Sequence, residues 1–396
     1  MISLIFRSLL LFAVVAISLG NGARYTANWT SIDSRPLPVW YDEAKIGIFV
    51  HWGVFSVPGY GQFSEWFWYW WKGAQRAAEV EFMKKNYPVG FTYADFAHDF
   101  KAQFFDPDEW AEIFEASGAK YVVFTSKHHE GFCNWPSADS WNWNSGLHFG
   151  LYHSLYEWFH PLYLKDKASG FKTQEFVFRK ALPELINLDF VVVNDRWGNG
   201  CYCKHGGYYN CADRFTPGSL PDHKWEKCQS VDNRSWGYRR NMMLSELMDL
   251  PTIITDMVYV VALGGNYLLN IGPMEDGIIS PLFEERLRGM GAWLGVNGEA
   301  IYSSKPWRIQ GENTTVPVWY TSKNNTVYAI LLAWPSKLLF SLAAPKTSEA
   351  TNVTILDNPS VPLKWVSTTP TGLVVVMPDM PVSPGRGWVL RLEGVA

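Results

Sequence analysis

Tyr121-Val-Val-Phe-Thr-Ser-Lys-His-His-Glu-Gly131 is an apolar run that ends in two imidazoles and a carboxylate. The run Tyr121 to Phe124 reads as a short buried strand. In a (β/α) barrel the strands supply rigidity and their C-terminal ends supply chemistry. The pattern recurs along the chain. Lys45-Ile-Gly-Ile-Phe-Val50 runs into His51-Trp52-Gly53, and Leu147-His-Phe-Gly-Leu151 runs into Tyr152-His153. Val191-Val-Val193 runs into Asn194-Asp195-Arg196-Trp197. One such strand could be chance, whereas four point to one polar pocket.

From about residue 33 to 300, strand-like and helix-like runs alternate, which signals a parallel sheet with crossover helices. Asp106-Pro107-Asp108-Glu109 predicts a helix start, with Asp106 as N-cap, Pro107 at the first helical position and acids in the first turn. Ser280-Pro281 opens another helix, which Asn297-Gly298 closes. After residue 300 the texture changes to short β-type runs separated by Asn, Gly, Pro and Ser. These runs are Val316 to Tyr320, Thr326 to Leu332, Leu373 to Met377 and Trp388 to Leu392. They predict an antiparallel β domain. The division expected is a signal peptide over 1–20, a barrel domain over 21–303 and a β-sandwich over 304–396.

The 396 residues are 47% hydrophobic and 18% charged, enough to bury a full core. A net charge of -4 gives no reason to expect nucleic acid as a partner. The 21 Trp favour a carbohydrate ligand, because aromatic faces pack on the apolar C–H faces of sugars, although most of them belong in a large aromatic core. Arg7, the apolar run Leu9 to Leu19 and Ser18-Leu19-Gly20 together read as a cleavable signal peptide. The apolar run is short for a membrane anchor. Five sequons, at Asn28, Asn233, Asn313, Asn324 and Asn352, agree with export to the lysosome or the extracellular space. Export favours disulfides among Cys133, Cys201, Cys203, Cys211 and Cys228, and the odd count leaves one thiol free. Cys201, Cys203, His205 and Cys211 could hold zinc on paper, but their spacing fits no standard finger.

Several side chains could carry chemistry. Adjacent residues on an extended chain point to opposite sides, so His128 and His129 suit sugar hydroxyls better than one metal ion. Glu65 and Trp66 pair a carboxylate acceptor with a stacking face. Arg196 could hold a hydroxyl, a ring oxygen or a carboxylate. Glycoside hydrolysis needs two carboxyl groups, one of them held protonated. Asp213, near Tyr208 and Tyr209, and Glu226, beside Trp225, are the acid/base candidates.

Taken together, these residues resemble the retaining α-L-fucosidases of animal lysosomal or secreted type. The resembling blocks come in the family's order over nearly the whole chain after the signal peptide. They are Ile48 to Gly53, Tyr121 to Gly131, Leu147 to His153, Val193 to Gly198 and Gly264 to Pro273. The resemblance implies a (β/α)8-like barrel followed by a C-terminal antiparallel β-sandwich. It implies a pocket in which His51, Glu65, Trp66, His128, His129, Tyr152 and Arg196 hold fucose. It implies no metal and no organic cofactor, fucosylated glycoproteins, glycolipids or oligosaccharides as partners, and a homo-oligomer. The mechanism implied is double displacement, with roughly 5 Å between the two carboxyl groups. Asp213 is the first choice for the acid/base and Glu226 the second.

One departure bears on activity. The family's nucleophilic Asp lies in a block resembling Trp-Ser-Asp-Gly-Glu. Here Glu184-Leu-Ile-Asn-Leu188 runs straight into Asp189-Phe-Val-Val-Val193, so the nucleophile-bearing segment is absent. A second gap falls between Ser145 and Gly146, where the family carries a crossover helix. The barrel is therefore expected to be incomplete. Asp189 begins its strand and faces the wrong end, while Asp195 adjoins Arg196, so neither replaces the nucleophile. The function expected is removal of terminal α-L-fucose with impaired turnover. The alternative is a fucose-binding protein that no longer hydrolyses.

Overall fold

The computed structural model describes residues 26, 28–148, 192–196, 198–313, 315–368, 371–379 and 387–396. The signal-peptide reading and Tyr152 lie outside the described residues.

Four parallel strands form the central sheet: β1 (Ile46–Val50), β2 (Tyr121–Phe124), β3 (Glu226–Ser230) and β4 (Asn266–Ile271), in the order β2-β1-β4-β3. Ile48 sits opposite both Val122 and Leu269, so the apolar runs stack in register. Among the described residues the sheet is open, not closed into a barrel. Two of the four strands expected at the pocket are seen as strand among the described residues, β1 and β2. Ser145–His148 is helical, which removes the start of the expected Leu147 strand. Val192 and Val193 are buried but unpaired as strand; the Val193 carbonyl instead accepts from Gly207 and Tyr208.

Helices cover the sheet. Asp106 caps Pro107–Ala116 as its sequence predicts, accepting from the amides of Asp108 and Glu109 at 2.9 and 3.2 Å. Leu250–Ala262 and Pro281–Asn297 bury apolar faces against the same core. Gly291 lets the last of these approach closely, since a Cβ there would strike the Ala116 carbonyl.

The C-terminal part is two antiparallel sheets. One joins β5 (Lys305–Glu312), β6 (Val318–Lys323), β7 (Thr326–Leu331), β9 (Asn352–Ile355) and β12 (Trp388–Glu393). The other joins β8 (Leu339–Leu342), β10 (Trp365–Ser367) and β11 (Leu373–Val376). Tyr320, Leu331 and Leu390 of the first share one core with Phe340, Leu342 and Val375 of the second. This is the sandwich that the alternating runs predict.

Cys203 and Cys211 form a disulfide, and Cys133, Cys201 and Cys228 are free thiols. That corrects the expectation of a single free thiol. It also engages two of the four side chains considered for zinc.

Candidate active site

The site begins where β1 and β2 end. His51 follows Val50, and its amide bonds the Ile271 carbonyl at the end of β4. Asn134 ties the two loops together, donating to the carbonyls of Trp52 at 2.8 Å and Thr125 at 3.1 Å.

His51 is buried, with Nδ1 2.6 Å from Asn270 Oδ1. The Asn270 amide nitrogen donates to the Trp236 carbonyl at 2.8 Å and to Ser230 Oγ at 2.9 Å, which fixes the amide's orientation. Oδ1 can then only accept, so His51 carries its proton on Nδ1 and leaves Nε2 as an acceptor. Burial, reinforced by the neighbouring His128, pushes the His51 pKa down to about 3. The imidazole is therefore neutral at ordinary pH, suited to a hydroxyl donor.

His128 and His129 flank it. The His51 and His128 ring centroids are 5.7 Å apart, and those of His128 and His129 are 4.7 Å apart. Trp66 lies against His129 at 4.2 Å and edge-on to His128 at 6.1 Å. Burial is the main cause of a lowered His129 pKa. The fields of Glu130 and Asp213 oppose that shift, which places the Asp213 carboxylate within electrostatic reach of this imidazole.

Glu65 is anchored at one oxygen only. Its Oε2 accepts from Ser235 Oγ at 2.7 Å and from the amides of Trp236 and Gly237, both at 3.1 Å. A Cβ on Gly237 would press on Phe55 and Ser64, so glycine permits this close approach. Oε1 of Glu65 is buried with no hydrogen-bond partner among the described residues. Such an oxygen is costly unless a ligand hydroxyl reaches it. Glu65, Trp66, His129 and Glu130, with Trp68, Tyr69, Lys72 and Gly73 from the next turns, line a cavity of about 490 Å³.

Arg196 donates from Nη2 to Asp213 Oδ1 at 2.9 Å. Both are partly exposed, with Asp213 63% accessible at its side chain. Asp195 is fully buried and receives the amides of Cys203, Asn210 and Cys211 at 2.7, 3.0 and 3.0 Å. It anchors a loop through these three backbone amides.

Glu226 requires a correction. It opens β3 opposite Asn266, the first residue of β4, so it lies at the N-terminal edge of the sheet. His51, His128 and His129 lie at the opposite edge. The Glu226 carboxylate is buried and receives the hydroxyls of Tyr121 at 2.6 Å and Tyr41 at 2.7 Å. Burial raises its pKa, as an acid/base role would need, but the place is wrong. An apolar neighbour in sequence did not reveal which end of the strand it occupied. Sequence reasoning also missed Asn270, Ser235 and Trp236. Asn270 carried a signal, being a polar residue within the apolar stretch Leu268 to Ile271. Ser235 and Trp236 carried none.

The family model described as alpha-L-fucosidase matches residues 13–146 and 172–299, and that of the alpha-L-fucosidase C-terminal domain matches 310–393. The human tissue alpha-L-fucosidase is 51% identical over 433 aligned positions, covering 94% of this chain and 92% of the relative. The alpha-L-fucosidase of Branchiostoma floridae is 48% identical, covering 94% and 96%. The human plasma enzyme is 44% identical, covering 95% and 94%. The solved Thermotoga maritima alpha-fucosidase in complex with fucose superposes with a TM-score of 0.76 at 27% identity, over 93% of this chain and 100% of that one. An alignment of 433 positions exceeds the 396 residues present, so the relatives carry residues that this chain lacks. All these relatives bear the name of a hydrolase, and none supports a purely binding role. A parallel sheet with imidazoles gathered at its C-terminal edge, an antiparallel sandwich after it and half-identical relatives along nearly its whole length place this chain in the α-L-fucosidase family of glycoside hydrolases.

Proposed function

We propose that this chain removes terminal α-L-fucose from glycoproteins, glycolipids or oligosaccharides. The fucose is held by His51, Glu65, Trp66, His128, His129 and Arg196, with Tyr152 completing the set. Neutral His51 accepts a sugar hydroxyl at Nε2, and the open Oε1 of Glu65 accepts another. Asp213 is the acid that protonates the leaving oxygen, with Arg196 positioning it. The observation that carries this reading is the meeting of Glu65, Trp66 and His129 on one cavity beside the β1 and β2 termini.

The segment that bears the family's nucleophile is absent, so turnover is impaired. Losing a nucleophile lowers rate on the order of 10³- to 10⁶-fold, while binding and acid catalysis persist. The sequons at Asn28, Asn233, Asn313 and Asn324 are exposed, which supports glycosylation and a secretory route to the lysosome or the extracellular space. Among the described residues no helix is long and apolar enough to cross a membrane. A homo-oligomer is part of the same proposal.

An aryl α-L-fucoside tests it. Release of the aryl alcohol above the uncatalysed rate, inhibited by L-fucose, is the expected result. Fucose binding with no release would instead make the chain a fucose-binding protein.

A further inference from the structure

The cavity is larger than the set of residues proposed to hold fucose. Glu65, Trp66 and His129 line only part of its 490 Å³, and His51 and His128 do not line it at all. The remainder is walled by Trp68, Tyr69, Lys72 and Gly73, with Glu130 beside His129. A cavity of this size lies within the roughly 300–1,000 Å³ that ordinary ligand sites span, with room beyond one sugar ring.

This wall is built in an unusual way. Tyr69–Gly73 is one turn of π-helix, a wide turn that tends to occur at functional sites. The turn buries Trp71 in the core, and together with the residues just before it leaves other aromatic rings at the surface. Trp66 is 36% exposed, Trp68 42% and Tyr69 51%. Tyr93 stacks on one face of Trp68 at 4.7 Å, nearly parallel, and this locks the indole in place. Tyr69 is braced edge-on by Trp66 at 6.0 Å and by Trp70 at 4.8 Å. Rigid aromatic faces lose little entropy on binding, which suits them to sugar C–H faces. The Lys72 ammonium lies 4.1 Å over the Trp71 ring, at the same turn.

We propose that this π-turn is the binding subsite for the leaving-group saccharide, the neutral hexose to which fucose is attached. Trp68 and Tyr69 stack on that sugar, and Lys72 donates to its hydroxyls. The subsite begins where Trp66 and His129 end, so it selects fucosides by the sugar beyond the scissile bond. It rests on the fucose reading of Glu65, Trp66 and His129.

The test is equilibrium binding by calorimetry on the full chain, which does not require turnover. The ligands are L-fucose and a non-hydrolysable, sulfur-linked α-L-fucosyl galactose. The disaccharide should bind roughly tenfold tighter than fucose, a gain of about 1.4 kcal/mol. Tyr69→Ala and Lys72→Met should each lose most of that gain while keeping the affinity for fucose. Retained fucose affinity also shows that the variants fold. If the disaccharide binds no better than fucose, or if both variants keep the gain, the subsite is overturned and the fucose site stands. If fucose does not bind at all, the functional reading fails and the subsite falls with it.

Discussion

The Asn270 amide decides the chemistry of His51. Because Nδ1 donates to Asn270 Oδ1 and the ring is buried, protonation at Nε2 would place a cation beside His128 in a poorly solvated pocket. The folded-state pKa of about 3 lies below the 6.5 of an ordinary imidazole. Between those values the unfolded chain holds one more proton than the folded one, so acidification through this window destabilises the fold. Replacing His51 by Gln removes the titration. Its melting temperature should fall less steeply than the parent's between pH 6.5 and 4, and an unchanged slope would refute a neutral buried His51. The acids differ in the same way. Asp213→Asn should lower turnover by about 10²- to 10⁴-fold on fucosides with poor leaving groups, with little change in melting temperature, because its side chain is largely exposed. Glu226→Gln should do the reverse. It weakens a buried carboxylate that receives two tyrosine hydroxyls, so the fold loses about 1–3 kcal/mol while turnover per folded molecule stays within a few-fold. Kinetics at saturating substrate beside thermal melts separate the two, and the opposite ranking would return the acid role to Glu226.

At the scale of elements, a partly buried charge cluster, exposed at Lys305, joins the helix Val39–Ala44 to the two domains. Asp42 Oδ1 receives Lys224, which precedes β3, at 2.6 Å and Lys45, which precedes β1, at 2.9 Å. Lys305 at the start of β5 pairs with Oδ2 of the same carboxylate. Burial lowers the Lys224 pKa to about 7, and these cations hold Asp42 well below the usual carboxylate range. Asp42→Asn leaves Lys45 and Lys224 without their counter-charge. Chemical denaturation at pH 7 should show a loss of about 3–5 kcal/mol, and a loss under 1 kcal/mol would mean that solvent supports these lysines. This cluster also shows why some strands were legible in the sequence and others were not. β1 and β2 are apolar runs because they are buried among hydrophobic neighbours. Glu226-Lys-Cys-Gln-Ser230 is equally buried in β3, yet it reads as a polar loop. Its charges are satisfied by partners distant in sequence: Tyr41 and Tyr121 for Glu226, and Asp256 at 2.5 Å for Lys227. Periodicity registers burial in an apolar setting and is blind to burial in a satisfied polar one. Asp106 was legible because a cap is a local device, completed within three residues.

For the whole molecule, β2 and β3 each pair on one side only among the described residues, so the parallel sheet is open at both edges. The relatives align over more positions than this chain has residues. The gaps read from the sequence fall in the barrel half, and the sandwich half is matched by its family model over 310–393 without a break. The imidazoles at the ends of β1 and β2 and the proposed acid Asp213 lie outside the absent segment, so the proposed function keeps a binding site and a proton donor but no nucleophile. That combination has a chemical signature. A small external anion can take the nucleophile's place, attacking the anomeric carbon from the face opposite the leaving group. With azide and an aryl α-L-fucoside, the carbon–nitrogen bond forms as the glycosidic carbon–oxygen bond breaks. The aryl oxide departs with the bonding pair, and the product is β-L-fucosyl azide, of inverted configuration. Azide should raise aryl alcohol release at least about tenfold over the azide-free chain, a barrier change of about 1.4 kcal/mol. Asp213→Asn should respond to azide as strongly on an activated aryl leaving group, which needs no proton. If azide has no effect while fucose still binds, the vacated face is closed to attack, and the open sheet has collapsed onto the site instead of merely lacking one carboxylate.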